Sequence, residues 1–416
     1  SKRNRPRGMI LKDIRVLDLS QYLVGPHCTL LLAGMGAEVI RIDNPKTGDS
    51  LSRAPVFYGK DGPTIQKLDE SDIGIAFLKR SRGKKSITLD LKSKEGHALF
   101  LQLVKKADVV VENFSVGVTE RLKIDWSSLQ KINPKLIYCS ITGYGATGPD
   151  AKRRAYDLTT QAMSGLMSVT GQPGSPPTKA GTPMGDTISA GFAFSGILGA
   201  LFHRERTGEG QHIDISMTDV LFSLIFDEAL DIYEELGMPF QQGNRIMRFS
   251  PFNAYQTKDG WLVIGIGHDA MWRSLCNLIE RKDLSNHADW GRMDWRVENN
   301  EQVDAVVAEW TKTITTAAAV KKLEADGIVA SPVQDINDLL NWPHLQARGM
   351  IDTLSHPSLG ALTDIKAAGF PLKFSAANTG YKGTAVLSGT HNTEIFRDLL
   401  GLDESKIEAL KQKSII

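Results

Sequence analysis

Short apolar runs alternate with amphipathic stretches over the first half of the chain, and that alternation predicts an α/β fold. Ile14 to Leu19, Glu38 to Ile42, Ser86 to Leu91, Val109 to Val111 and Leu136 to Ile141 read as strands, the Val109 run fully buried. Between them, Thr29 to Leu32 belongs to a short helix, and Lys94 to Lys106 is a helix carrying Leu99, Leu101, Leu103 and Val104. Strand and helix in repeated succession predict a parallel sheet with helices on both faces. A long helix of small and apolar residues begins at Asp186 and runs to about Arg206, with Gly208 as its C-terminal stop. Residues 217–236 read as a second long helix.

The pattern changes near residue 237. Residues 237–250 read as a linker, and Ala254 to Ile264 as a hairpin, two apolar runs around the Asp259-Gly260 turn. Helices follow around 270–280, 301–313 and 316–326. The expected organisation is a first part of a large domain over 10–236 and the linker over 237–250. A small α+β domain covers 251–335, and a return segment with C-terminal helices over 336–416 completes the large one. A chain of 416 residues is too long for one ordinary core, which agrees with two domains.

Composition adds exclusions. With 49 Lys+Arg against 48 Asp+Glu the net charge is +1, so no bulk field attracts nucleic acid or an anionic membrane. The three cysteines, Cys28, Cys139 and Cys276, are widely spaced in apolar surroundings. They form neither a disulfide framework nor a metal-ligand cluster and read as buried thiols of a protein from a reducing cytoplasm. No apolar run is expected to reach bilayer-spanning length. The basic stretch Ser1 to Gly8 has no apolar region behind it and is expected to be a disordered tail.

The candidate chemistry centres on Pro183-Met184-Gly185-Asp186-Thr187, just ahead of the small-residue helix. An aspartate at a helix N-cap accepts backbone N–H bonds and feels the positive end of the helix dipole, so Asp186 is expected to be ionised at neutral pH. Most aspartates at such positions are only caps. The rest of the sequence weighs against that plain reading. Gly185-Asp186 with Arg204-Glu205-Arg206-Thr207-Gly208-Glu209-Gly210-Gln211-His212 resembles the signature of the class III CoA-transferases. That superfamily includes formyl-CoA transferase, carnitine CoA-transferase and alpha-methylacyl-CoA racemase. Matching stretches recur in order, among them Gly34-Met35-Gly36-Ala37-Glu38-Val39, Lys84-Lys85-Ser86-Ile87, Val111-Glu112-Asn113-Phe114, Gly143-Tyr144-Gly145 and Gln346-Ala347-Arg348-Gly349.

The resemblance implies a Rossmann-like large domain built from both chain ends, a small middle domain, and two identical chains interlocked as a homodimer. It implies acyl-CoA and carboxylate substrates, with coenzyme A as a substrate rather than a permanently bound cofactor, and no metal. Asp186 takes the place of the family nucleophile, and Gln21 that of a polar side chain facing the reacting centre. The family's CoA contacts fall on Val24, Asn44, Leu89, Lys92, Asn113, Phe114, Arg121 and Arg154. At Asn44 some members carry a basic residue instead.

Rival readings meet specific obstacles. A dinucleotide-binding dehydrogenase needs G-x-G-x-x-G after the first strand, where this chain has Ser20-Gln21-Tyr22-Leu23-Val24-Gly25-Pro26. The racemase branch uses a histidine in a Gly-His-Asp stretch, and the matching Arg154-Ala155-Tyr156-Asp157 puts Tyr156 there. A phenol with its pKa near 10 is a poor base at neutrality, so Tyr156 is assigned to substrate binding. A non-catalytic CoA-binding protein is the third reading, and the presence of Asp186 speaks against it. The glycine-rich loop of the formyl-CoA branch is replaced by Gln241-Gln242-Gly243-Asn244-Arg245-Ile246-Met247-Arg248. That departure argues against the formyl-CoA and oxalate pair. Arg245 and Arg248 are expected to hold the second carboxylate of a dicarboxylic acceptor such as succinate or itaconate.

Overall fold

The structure, a computed structural model, describes residues 8–416; the expectation for the tail ahead of Gly8 lies outside them. Six strands form the main sheet: β1 (Arg15–Asp18), β2 (Glu38–Asp43), β3 (Lys85–Thr88), β4 (Val109–Glu112), β5 (Ile137–Thr142) and β6 (Gln211–Ser216). All pair in parallel, in the order β3-β2-β1-β4-β5-β6. This is the doubly wound order, with the chain reversing its direction of travel between β1 and β4.

Alternation along the strands sorts the core into two layers. Leu17, Leu19, Ile40, Val110 and Tyr138 face one layer, with Leu99, Phe100 and Leu103 of α3 (Lys94–Lys105) and Phe396 and Ile407 of the C-terminal helices. Val16, Val39, Val109, Ile137 and Cys139 face the other. That side is covered by α1 (Val24–Gly34) and α5 (Met184–Thr207), the long helix, which lies against α1. Two short helices precede α5 and matter below, α2 (Ile75–Arg80) and α4 (Asp157–Met163). Gly208, at φ +76°, ends α5 in the left-handed region that favours glycine.

Two expectations change. Helix α5, 24 residues with an 18-residue stretch of mean hydropathy 1.3, is by length and composition apolar enough to cross a bilayer, contrary to the expectation. Its Ala190, Ala193, Ile197 and Leu201 pack in the second core layer. The helix expected over 217–236 is instead α6 (Met217–Ile225) followed by turns and the short 3-10 segment Leu230–Ile232. Apolar residues recur beyond Asp227-Glu228 at Ala229, Leu230, Ile232 and Tyr233 with helix-like spacing, so periodicity alone does not mark the break.

The chain forms two compact units. The first combines residues to Leu166 with Lys179–Glu228 and His344–Ile416; the second combines Met167–Thr178 with Ala229–Pro343. The second therefore starts earlier than 251 and recruits a segment from well upstream. Its sheet contains β7 (Phe252–Gln256), β8 (Trp261–Gly265) and β9 (Val329–Pro332), all antiparallel. The helices Asp269–Leu278, Asn300–Thr311 and Thr316–Ala325 supply Trp272, Leu275, Val303, Val307 and Leu323 to its core. Cys28, Cys139 and Cys276 are buried free thiols.

One buried ion pair fixes the start of α1. Lys84 Nζ, fully buried, donates to Pro26 O (2.8 Å), Thr29 Oγ1 (2.7 Å) and Asp18 Oδ2 (3.3 Å). Removing one partner of such a pair strands a charge in the interior. Lys84→Met is expected to cost about 3–5 kcal/mol, read as a lowered urea midpoint. A variant as stable as the parent would mean that the pair does not hold this corner.

Candidate active site

The crevice at the carboxyl ends of β1 and β4 marks the reversal of strand order, where open parallel sheets bind ligands. Two loops are tied together there. Asn113, just after β4, accepts the Gln21 N–H at Oδ1 (2.8 Å) and donates from Nδ2 to the Gln21 carbonyl (2.7 Å). The buried Glu112 in turn accepts the Phe114 N–H at 2.9 Å.

Two cavities meet at Phe114, which lines both. The smaller, about 260 Å³, is lined by Gln21, Asn44, Thr47, Ser50, Leu89, Lys92 and Phe114 among others. The larger, about 540 Å³, is lined by Tyr22, Val24, Asn113, Phe114, Arg154, Tyr156, Asp157 and Asp186 among others. The structure thus gathers all but three of the expected site residues around these two spaces. Arg121 is exposed at the end of the turn Val118–Arg121, next to Leu122 of the smaller cavity, and lines neither. Arg245 and Arg248 belong to the second unit. There Arg245 donates from Nε and Nη2 to Asp304 Oδ2, both at 2.8 Å, while Asn253 and Tyr255 also donate to Asp304. Its fork already has a carboxylate partner. Asn44 uses its own Oδ1 to accept the N–H groups of Lys46 and Thr47 in a tight turn.

Asp186 is not the cap of α5. The helix begins at Met184 with Pro183 in the cap position, so Asp186 is its third residue. The expected reason for its ionisation also needs correction. Burial, and then the charge of Asp157, push its carboxyl up from the ordinary 3.8 to about 6, with Arg80 pulling the other way. The group remains mostly ionised at neutral pH, but as a desolvated and therefore more reactive carboxylate. Asp157, at the start of α4, is the second cause after burial. Its Oδ1 accepts the Asp186 N–H at 3.0 Å and its Oδ2 accepts from Gln161 Nε2 at 2.7 Å. Only glycine fits between them: a Cβ on Gly185 would meet Asp157 Oδ1 at 2.7 Å.

The sequence reading missed Asp157 and Arg80. A signal for Asp157 existed, because it stands beside Tyr156 at the acidic position of the racemase stretch. Arg80 had none. Tyr156, whose backbone N–H donates to Thr159 Oγ1, is 78% exposed at the cavity edge.

A desolvated carboxylate facing a cavity of this size, beside a second cavity at the switch point, suits covalent chemistry on a large two-part substrate. The sequence profile of CoA-transferase family III matches residues 11–392. The chain belongs to CoA-transferase family III. It is 38% identical over 404 residues to a protein from Haloarcula hispanica named succinyl-CoA:mesaconate CoA-transferase, covering 96% of this chain and 99% of that one. It is 34% identical to the succinate–glutarate CoA-transferase of Agrobacterium fabrum, over 94% and 95% of the two chains. A crystal structure of a CAIB/BAIF family protein from Brucella suis superposes with a TM-score of 0.81 at 31% identity, covering 94% of this chain and all of that one. This family III CoA-transferase is therefore an α/β enzyme.

The position of Asp186 predicts a pH profile. For any reaction that uses the Asp186 carboxylate in its charged form, kcat/KM is expected to rise through about pH 6 and level off above it. In Asp157→Asn, which keeps a hydrogen-bond acceptor but loses the charge, the rise should move to lower pH. A profile unchanged by that substitution would mean that the Asp157 charge does not govern the ionisation of Asp186. Stability has the opposite sign. A carboxylate whose folded pKa is raised destabilises the fold above that pKa and not below its unfolded value. Asp186→Asn is thus expected to gain up to about 3 kcal/mol above pH 6, fading to nothing below pH 4, in melts across that range.

Proposed function

We propose that this enzyme moves CoA from an acyl-CoA, succinyl-CoA first among donors, to a dicarboxylic acid, with Asp186 as the nucleophile. The observation that carries the reading is the half-buried Asp186 carboxylate on the wall of the larger cavity, with its pKa raised to about 6. The Asp186 carboxylate attacks the thioester carbonyl and expels CoA thiolate, leaving an aspartyl–acyl anhydride. The thiolate attacks the aspartyl carbonyl, freeing the donor acid and leaving an aspartyl-CoA thioester. The acceptor carboxylate attacks that thioester, giving a new anhydride, and the returning thiolate takes the acceptor acyl group and restores Asp186. No step needs an external oxidant, metal or proton carrier.

The residues around the two cavities fit these roles. Gln21, which accepts from Ser50 Oγ at 3.1 Å, is the side chain proposed to donate to the tetrahedral oxyanion. Val24, Asn44, Leu89, Lys92, Asn113 and Phe114 are proposed to hold CoA, with Arg121 and Arg154 reaching its phosphates as exposed cations. CoA is a substrate here, not a resident cofactor. The names of the relatives, with mesaconate and glutarate as acids, favour a dicarboxylic acceptor. Racemisation is the lesser reading, since Tyr156 stands where its histidine would.

A homodimer is part of the proposal. Phe192 and Phe202 on α5, Phe222 on α6 and Phe226 just after it are exposed, an apolar surface that a second copy would cover.

Two outcomes are expected. Asp186→Ala should lose at least about 10³-fold in kcat while binding free CoA as the parent does. Hydroxylamine added after succinyl-CoA should convert Asp186 of the parent to its hydroxamate, found by peptide mass spectrometry. Full turnover by the variant, or unmodified Asp186 in a turning-over parent, sinks the mechanism. Deuterium entering the α-carbon of a 2-methylacyl-CoA at the rate of transfer would favour the racemase instead.

A further inference from the structure

We propose that Arg80 holds the second carboxylate of the dicarboxylic substrates, donor and acceptor in turn. This rests on the dicarboxylate reading above and adds the residue that selects for it.

Arg80 is the last residue of α2 and is half-buried. Three nearby cations have a carboxylate: Lys84 has Asp18 at 3.3 Å, Arg82 has Asp352 at 3.1 Å, and Arg41 has Asp43 at 3.0 Å, whereas Lys79, the residue before Arg80, has none among the described residues. Arg80 makes no ion pair among the described residues. Its one hydrogen bond is a long one, from Nη1 to the Tyr22 carbonyl at 3.4 Å. A guanidinium carries five N–H donors, so most of this fork is unspent. Half-buried cations with unspent donors are costly unless an anion completes them.

Its surroundings face the reaction. Tyr22 adopts the left-handed region at φ +65° and begins the Tyr22–Val24 wall of the cavity that holds Asp186. Arg80 lines neither cavity itself; its Nη1 reaches the Tyr22 carbonyl at that wall, and it is near enough to Asp186 for each charge to act on the other. The local field is positive: Arg80, Lys84 and Arg82, added to burial, keep His27 neutral down to about pH 4. Asp49 also faces Arg80, but lies with Arg41 at 3.8 Å. A planar carboxylate replacing the weak Tyr22 contact would meet the fork in a bidentate way, which lysine cannot reproduce. Because donor and acceptor acyl groups take turns on Asp186, one such cation serves both.

The experiment compares the parent with Arg80→Met, Arg80→Lys, Arg245→Ala and Arg248→Ala. With saturating succinyl-CoA, KM is measured for glutarate and for valerate, which has the same length and one carboxylate. Free CoA affinity is measured by calorimetry. In Arg80→Met the glutarate KM should rise on the order of 30-fold, the valerate KM and CoA affinity should stay within about 3-fold, and Arg80→Lys should fall between. Parallel changes for both acids, or a selective loss in Arg245→Ala or Arg248→Ala instead, would overturn the assignment. If Arg80→Met keeps the parent's preference for glutarate, only Arg80 is wrong. A parent that takes valerate as readily as glutarate defeats the dicarboxylate reading, and Arg80 with it.

Discussion

The hydrogen bond from the Asp186 N–H to Asp157 Oδ1 brings two carboxylates together at the start of α5, and the reactive centre depends on it. Burial, and then the neighbouring Asp157 charge, raise the cost of ionising Asp186. Here the geometry prevents escape. Asp157 is anchored from its other oxygen by Gln161 and spaced by Gly185, and Asp186 is fixed by the helix it belongs to. The helix in turn is held by small residues, Ala190 and Ala193 among them, that pack in the core layer shared with α1. Burial energy along some twenty residues thus holds one unfavourable charge in place. A site of this kind is less stable than it need be, which is common where chemistry requires a desolvated group.

The opposite side of the site is built from favourable charges. Lys84 satisfies the Pro26 carbonyl, Thr29 and Asp18 in the interior, and Asn113 bonds reciprocally with the Gln21 backbone. These contacts hold the loop after β1 in place at the crevice. The sheet order is that of a dinucleotide-binding protein, yet the loop carries Gln21 and Tyr22 rather than glycines. The fold supplies the crevice, and the side chains decide what enters it.

Much of this was legible from residues alone. The first five strands of the main sheet are short apolar runs legible to within a few residues, since burial on both faces leaves no other pattern, whereas the edge strand β6, with Gln211, His212 and Asp214 in a half-exposed run, gives no such signal. Asp186 was identified, though as a cap; hydrophobic periodicity does not resolve one helical turn at a terminus. The consequence was an error about its electrostatics, because the partner that raises its pKa is 29 residues away in sequence. Arg245 read as a free cation for the same reason: Asp304, its partner, is 59 residues on. The break after Ile225 and the recruitment of Met167–Thr178 into the second unit are tertiary decisions that local pattern does not record. Long-range pairing of charges was the information missing in each case about the site.

The central claim is that Asp186 is covalently acylated in every turnover. An acceptor acid labelled with heavy oxygen in its carboxylate tests it most directly. In the anhydride formed by that acid, the bridging oxygen comes from the acceptor, and it stays on Asp186 when CoA thiolate takes the acyl group. After a single turnover, digestion and mass spectrometry should find one labelled oxygen in the peptide containing Asp186 and none in the peptide containing Asp157. An unlabelled Asp186 after a complete turnover would contradict the account.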